Sequence, residues 1–334
     1  MPQNGTKSPL RHLDEQELAQ TARHWDERAK KQPTASWWQL GRCMLHVNEM
    51  LTGSSEHNWI HLLKQHFMKD PVELAVSFGS GDATYEEELL KSGLVRTMHC
   101  WELSAERCRI AESRLVPRYG RRVRIVNDDF VKSRYPEGSV DLAYVHGALH
   151  HMRALESVLD HIHRLLSKDG LFVIDDFFGP TGMQWTDDQL LWCNAMLDAL
   201  PDELKRMVRD PSILKSKVDR PSLEALWERD PSECARSSEI RRLLDDRFFI
   251  RLERRIGGAV FHPVLNGIAG NFEASAVGQL ALDFILCMDR IATEAEVLNS
   301  DYRFIVCTPR KRRRPRRGQR KHRSGGQCMN GHDE

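Results

Sequence analysis

VELAVSFGSGDATYEEELLKSG, residues 72–93, reads as a strand, a glycine-bearing turn and a helix in direct succession. The apolar run Val72–Phe78 predicts a strand covered on both faces. Gly79-Ser80-Gly81 predicts a sharp turn, and 82–93 a helix closed by Gly93. A glycine-rich turn in this position lets a ligand approach the backbone, and the helix start beyond it offers unpaired N–H groups. Taken alone, the same turn can serve packing only.

The alternation continues downstream. VRTMHCW (95–101), RVRIVN (122–127), SVDLAYVHG (139–147) and LFVIDDFF (171–178) predict further strands. Between them, SAERCRIAESRLV (104–116), with Ser104 as N-cap, and Ala154–Leu166, closed near Gly170, predict helices. Strands and helices at this spacing argue for a parallel sheet with helices on both faces. Residues 181–246 then read as helical, in runs Trp185–Leu200, Glu203–Val208 and Ser237–Leu244. Two late strands, 248–258 and 302–309, flank a long helix, Ala274–Val297. The expected fold is α/β: a doubly wound, mainly parallel seven-stranded sheet with a helical insertion after strand 5. Upstream, Trp37, Leu40, Met44, Val47, Met50 and Leu51, then Trp59, Leu62, Leu63 and Phe67, recur at helical spacing up to Asp70-Pro71. The expected organisation is a polar lead-in over 1–35, read as mobile or as a loosely packed helix, and a helical extension over 36–70. A main domain over 71–308 follows, with its insertion at 181–246, and then a disordered basic tail over 309–334.

The 334 residues are 40% hydrophobic and 29% charged, which excludes collagen-like and wholly disordered chains. No apolar run is long enough to span a bilayer, and MPQNGTKSPLRHLDEQELAQ lacks the apolar core of a secretory leader. A soluble, cytoplasmic protein is expected. The net charge of +1 conceals an asymmetry, because residues 310–323 hold ten Lys/Arg and no acid. The chain before residue 309 holds 39 basic and 46 acidic residues. Nucleic-acid or other polyanion contact would therefore rest on the tail, which reads equally as a solvated segment. Eight cysteines with no C-x-x-C pair predict reduced thiols and no zinc site.

The strand tips carry the chemistry. Strand 2 ends in Trp101-Glu102-Leu103, and a carboxylate there can accept bonds from ribose hydroxyls beside the first turn. Strand 3 ends in Asn127-Asp128-Asp129-Phe130, where an acid can meet an adenine amino group. Strand 4 runs into His146-Gly147-Ala148-Leu149-His150-His151 on the same crevice. A dinucleotide turn wants G-x-G-x-x-G and a methyltransferase turn G-x-G-x-G; Thr84 and Ala83 leave each one glycine short. The strand-3 acid and DLAYVHGALHHM (141–152) favour the second.

At this point residues 72–178 resemble class I S-adenosylmethionine-dependent methyltransferases. WWQLGRCMLHVNEMLTG (37–53), the 148–190 block with its HH and GPTGMQWT, and GGAVFHPVLNGIAGNFE (257–273) are similar to a bacterial group often associated with glycan or natural-product pathways. The resemblance covers roughly 37–308. It implies a Rossmann-like methyltransferase fold with S-adenosylmethionine as cofactor. Gly79, Ser80 and Gly81 would then lie against the methionine part, with Glu102 on the ribose and Leu103 on the adenine. Asp129 would bind the adenine amino group, with Asp128 as fallback, and His146 would stand where cofactor meets acceptor. The chain departs from the group at Ser80, at Ala83, which would crowd the cofactor's amino-acid end, and at Glu87, where an arginine and its salt bridge are lost.

The implied reaction is in-line displacement at the sulfonium methyl, with a small-molecule or glycan acceptor attacking through oxygen. His150, His151 and Asp176 are the candidate general bases, and the two histidines read equally as pocket lining or helix caps. Gln184, Trp185, His262, Asn271 and Phe272 are the candidate acceptor contacts, and Trp185 and Phe272 read equally as core. An RNA or protein methyltransferase tethered by the tail, and a non-catalytic cofactor-binding protein, are the alternatives.

Overall fold

The computed structural model describes residues 11–29 and 34–311. The basic run expected to be disordered lies, from residue 312 on, outside the described residues. Seven strands form one sheet: β1 (Val72–Phe78), β2 (Val95–Glu102), β3 (Val123–Asn127), β4 (Val140–His146), β5 (Leu166–Phe177), β6 (Phe248–Arg255) and β7 (Tyr302–Pro309). Their order is β3-β2-β1-β4-β5-β7-β6. β1 to β5 pair in parallel, and β7 alone is reversed, antiparallel to both β5 and β6. This is the expected Rossmann-like methyltransferase fold.

The central strands are apolar because both faces are covered. On one face α2 (Gly41–Thr52), α3 (Trp59–His66), α4 (Thr84–Ser92), α5 (Ala105–Tyr119) and α12 (Ala276–Glu294) build a core around Trp59, Leu89, Leu115 and Tyr144. There Trp59 of α3 stacks flat on Tyr144 of β4, with ring centres 4.9 Å apart. On the other face α6 (Leu155–Leu165) and α10 (Ile240–Asp245) close over Phe78, Leu159, Phe172 and Phe248. The caps follow the sequence: Gly93 ends α4 at φ +75°, and Ser104 starts α5 by accepting from the Arg107 amide.

Four local expectations change. The lead-in holds a well-formed helix, α1 (Glu15–Ala29), packed on α5 rather than mobile. Asp26 accepts from the Ser104 hydroxyl at 2.6 Å and the Glu106 amide at 3.0 Å, which ties α1 to the start of α5. The helix expected to close near Gly170 ends at Leu165, and β5 begins at once. Gly170 sits instead in a β-bulge facing Val140, where a Cβ would stand 3.0 Å from the Val140 carbonyl oxygen. The 36–67 run is broken at Gly53, which adopts φ +82°, and restarted by the Asn58 cap. Within the insertion, α7 (Asp187–Ala199) forms as expected, whereas Glu203–Val208 shrinks to the single turn α8 (Asp202–Lys205). α9 (Leu223–Arg229), capped by Ser222, has too weak an apolar period to be read from sequence. No helix among the described residues is long and apolar enough to cross a membrane.

Candidate active site

The carboxyl ends of β1, β2, β4 and β5 open into one cavity of about 1180 Å³, roofed by α1, the insertion and α11 (Phe261–Leu265). It lies where the strand order reverses about β1 and β4, the place where doubly wound sheets bind ligands. A site for one small ligand occupies roughly 300–1,000 Å³, so there is room for two.

The β1 turn is built on positive φ at Gly79 (+68°), Gly81 (+58°) and Ala83 (+58°). A Cβ on Gly79 would meet the Ala148 Cβ at 2.5 Å, so only glycine lets the β1 and β4 tips close. Glu102 locks this turn to the next strand: its Oε2 accepts from the Gly81 amide and its Oε1 from the Ser104 amide, each at 2.8 Å. A carboxylate has about four lone-pair sites, so acceptor capacity remains toward the cavity. Asn127 donates to the Glu102 and Leu103 carbonyls at 3.0 and 2.9 Å and binds the β3 tip to the β2 tip. Asp129 accepts from the Val131 amide at 3.1 Å, while Asp128 is paired with Lys132 at 2.7 Å, which holds its carboxyl below the usual range.

The β4 and β5 tips form the other wall. His146 packs on Tyr85, 3.7 Å between ring centres, with Nδ1 3.1 Å from Asp175 Oδ2. Burial pulls the His146 pKa down, but the Asp175 charge and hydrogen bond outweigh it and the net shift is upward. Asp176 is buried and accepts from the Ala148, Leu149 and Phe177 amides, and His150 Nδ1 lies 2.6 Å from its Oδ1. Its carboxylate is engaged by these groups, positions the 148–150 turn and the His150 ring, and lines the cavity. The His150 and His151 imidazoles stand 4.1 Å apart, tilted by 39°, with opposite shifts. Burial opposes protonation of His150 but Asp176 overrides it, whereas burial and the neighbouring His150 both lower His151. Pairs pushed apart in this way mark the division of acid and base roles.

Residues 76–174 match the protein family described as Methyltransferase domain. The match ends at β5, so the roof of the cavity lies outside it. No curated protein sequence matches significantly. Among solved structures, the phosphoethanolamine N-methyltransferase 2 of Haemonchus contortus, in complex with S-adenosyl-L-methionine, is similar at 12% identity and TM-score 0.47, over 79% of this chain and 56% of that one. The 1,6-didemethyltoxoflavin-N1-methyltransferase of Burkholderia thailandensis is similar at 16% identity and TM-score 0.42, over 82% and 81% of the two chains. The [4+2]-cyclase SpnF is similar at 14% and 0.48, over 91% and 99%.

The crevice fits S-adenosylmethionine, the cofactor that the resemblance implies. The Gly79–Gly81 backbone lines the crevice with no side chain from either glycine, and the Glu102 carboxylate borders the same space. Ser80, Leu103, Asp128, Asp129 and His146 line the crevice beside them. The expected crowding by Ala83 does not occur, because its methyl is buried in the core and away from the cavity. Glu87 loses no anchorage: it reverses the charge pattern and is ringed by Arg118 at 2.8 Å, Lys91 at 3.3 Å and Arg114 at 3.7 Å.

The acceptor-side expectations divide. His150, His151, Trp185 and His262 line the cavity, but Gln184, Asn271 and Phe272 do not. Gln184 donates to the Gly182 and Pro221 carbonyls, Asn271 to those of Leu204 and Arg206, and Phe272 is core. They brace the roof. Sequence reading missed Trp25, whose ring stands edge-on to His151 at 5.3 Å and carries the Arg107 guanidinium at 4.4 Å. It also missed Tyr302, bonded to His262 Nδ1 at 3.3 Å, and the Asp230-Ser232-Glu233 turn. A lone tryptophan in a polar helix and a Pro-Ser turn offer no spacing by which to find them.

Proposed function

We propose that this methyltransferase acts on a hydroxyl of a small-molecule or glycan acceptor held in the helical half of the cavity. The observation that carries this reading is the His150–His151 pair, fixed by Asp176 where the cofactor crevice meets the roofed chamber. When bound, S-adenosylmethionine supplies a methyl group already activated by the sulfonium charge. Glu102 would hold the ribose hydroxyls through its remaining lone pairs, Leu103 the adenine face and Asp129 the adenine amino group. Asp128 serves that contact less well, because Lys132 already engages it.

The chain's remaining work is to align the acceptor and take its proton. Alignment is worth up to about 7–11 kcal/mol. His151, held neutral by burial and by the neighbouring His150, would receive the hydroxyl proton as the oxygen–methyl bond forms, a gain of about 10²–10⁴-fold. Phe177, Trp185 and His262, edge to face at 5.7–6.1 Å, offer an aromatic wall suited to a sugar or a planar ring. The 148–190 and 257–273 segments, which resemble the glycan and natural-product group, supply much of that wall.

The test is a calorimetric titration with S-adenosylmethionine, followed by a labelled-methyl acceptor screen with glycans first. Micromolar binding with label found on a hydroxyl supports the reading. Label found only on nitrogen, or on RNA or protein, overturns the acceptor assignment.

A further inference from the structure

We propose that His150, His151 and Glu233 form a binding site for one divalent transition-metal ion of the zinc class. One ligand atom from each of the three lies within 4.8 Å of the others, and His150 Nε2 stands 3.7 Å from a Glu233 carboxylate oxygen. Zinc bonds of ~2.0–2.1 Å set neighbouring ligand atoms about 3.4 Å apart, so closing on an ion asks for side-chain movement of about 1 Å.

The hydrogen bonds around the three groups are those of a metal site's outer layer. Asp176, pinned by backbone amides, engages His150 Nδ1 at 2.6 Å. Ser232 Oγ donates to Asp230 at 2.6 Å and therefore accepts from His151 Nδ1 at 2.9 Å. Both Nδ1 atoms thus hold the proton, and both Nε2 lone pairs are left for a cation, the carboxylate–histidine–metal arrangement. Glu233 is an anion in a nearly buried place, and among the described residues its one partner at ion-pair distance is His150. All three groups line the cavity, and three protein ligands leave a coordination position open to it. Two imidazoles and a carboxylate suit zinc, cobalt or iron(II) rather than magnesium or calcium, which prefer all-oxygen shells.

Metal binding stands independently of the proposed reaction. With the ion bound, His151 Nε2 is a ligand and no longer the base, and the ion would take over by acidifying an acceptor hydroxyl at the open position; that consequence rests on the methyl-transfer reading.

The full chain, stripped with chelator, would be titrated without cofactor: Zn²⁺ by calorimetry, Co²⁺ by visible absorption. The expected result is one equivalent bound at micromolar affinity or tighter, with the d–d bands of four- or five-coordinate cobalt and no competition from Mg²⁺. Glu233→Gln and His151→Ala should each weaken binding at least tenfold. The double variant His150→Ala/His151→Ala should lose it. Ser232→Ala, which keeps all three ligands, should weaken it about tenfold. S-adenosylhomocysteine binding serves as the folding control throughout. No saturable binding by a wild type that takes up S-adenosylhomocysteine overturns the site. So does binding that survives the double variant, which would place the ion on other groups such as His322, Cys328 and His332 of the tail. A wild type that binds zinc but no S-adenosylhomocysteine would sink the methyl-transfer reading and leave the metal site standing.

Discussion

The cofactor crevice takes Gly79, Glu102, Asp129 and His146 from the tips of four successive strands, while the acceptor chamber takes Trp25, His151, Trp185, Glu233, His262 and Tyr302 from along nearly the whole chain. In the first, each residue ends a strand or stands within two residues of its end, and the parallel sheet alone brings the tips together. In the second, no residue stands near its neighbours in sequence except through α1, the insertion and α11 folding over the sheet. The first half therefore depends on backbone geometry and a few bonds to amides, the second on long-range packing and buried charge.

The largest expected effect tests whether the crevice rests on one carboxylate. Glu102→Ala should weaken S-adenosylmethionine binding by about 10²–10⁴-fold in calorimetry, since two charge-assisted bonds at roughly 1.5–3 kcal/mol each are lost. A change under tenfold would mean the crevice holds the ribose by other groups. His151→Ala probes the opposite half. It should cut methyl transfer to an acceptor found in the screen by about 10²-fold or more, with cofactor affinity within twofold of wild type. A parallel loss of cofactor binding would show that the halves are not separable.

A third prediction concerns pH. Buried acids brace the roof: Asp289 accepts from the Gly258 and Val260 amides ahead of α11, and Asp301 from Gln189 of α7. Burial pushes Asp289 up to about 6, and burial with repulsion from Asp289 pushes Asp301 up to about 8. A carboxyl with a raised folded-state pKa favours the fold fully below its unfolded value near 3.9, and that contribution is lost as pH rises through the folded value. Asp301→Asn, a neutral mimic of the protonated acid, should therefore melt progressively higher than wild type as the pH goes from 5 to 9. A constant Tm difference across that range would show that Asp301 is ionised throughout.

The smallest effect is at the cover. Trp25→Ala removes the ring between Arg107 and His151, and cofactor release measured by stopped flow should quicken about two- to fivefold, in line with a cation–π contact of ~0.5–1 kcal/mol. An unchanged rate would assign α1 to the acceptor side alone.

Legibility followed the same division. β1 is legible to the residue, and Glu102, Asp129 and His146, which line the cavity, are legible as candidates because a strand end states its own direction. Asp176 is legible as a candidate at the β5 tip, but alternation along β5 says only that one of two aspartates faces inward, and nothing about the Ala148, Leu149 and Phe177 amides that it meets there. Asn271 and Gln184 stood out as polar residues in a motif, yet both are spent on backbone carbonyls. Trp25 and Glu233 gave no signal at all.

The order of strands and helices, the glycine turn and the acids at the strand tips were determined by sequence alone, since apolar period, caps and φ preference act over a few residues. Which histidine is held by which acid, which aromatics face a cavity and which a core, and whether the polar first helix lies on the protein or in solvent were decided only by the tertiary structure. Those properties depend on what a distant segment brings within about 4 Å, and burial and pKa follow from that neighbour rather than from the residue itself.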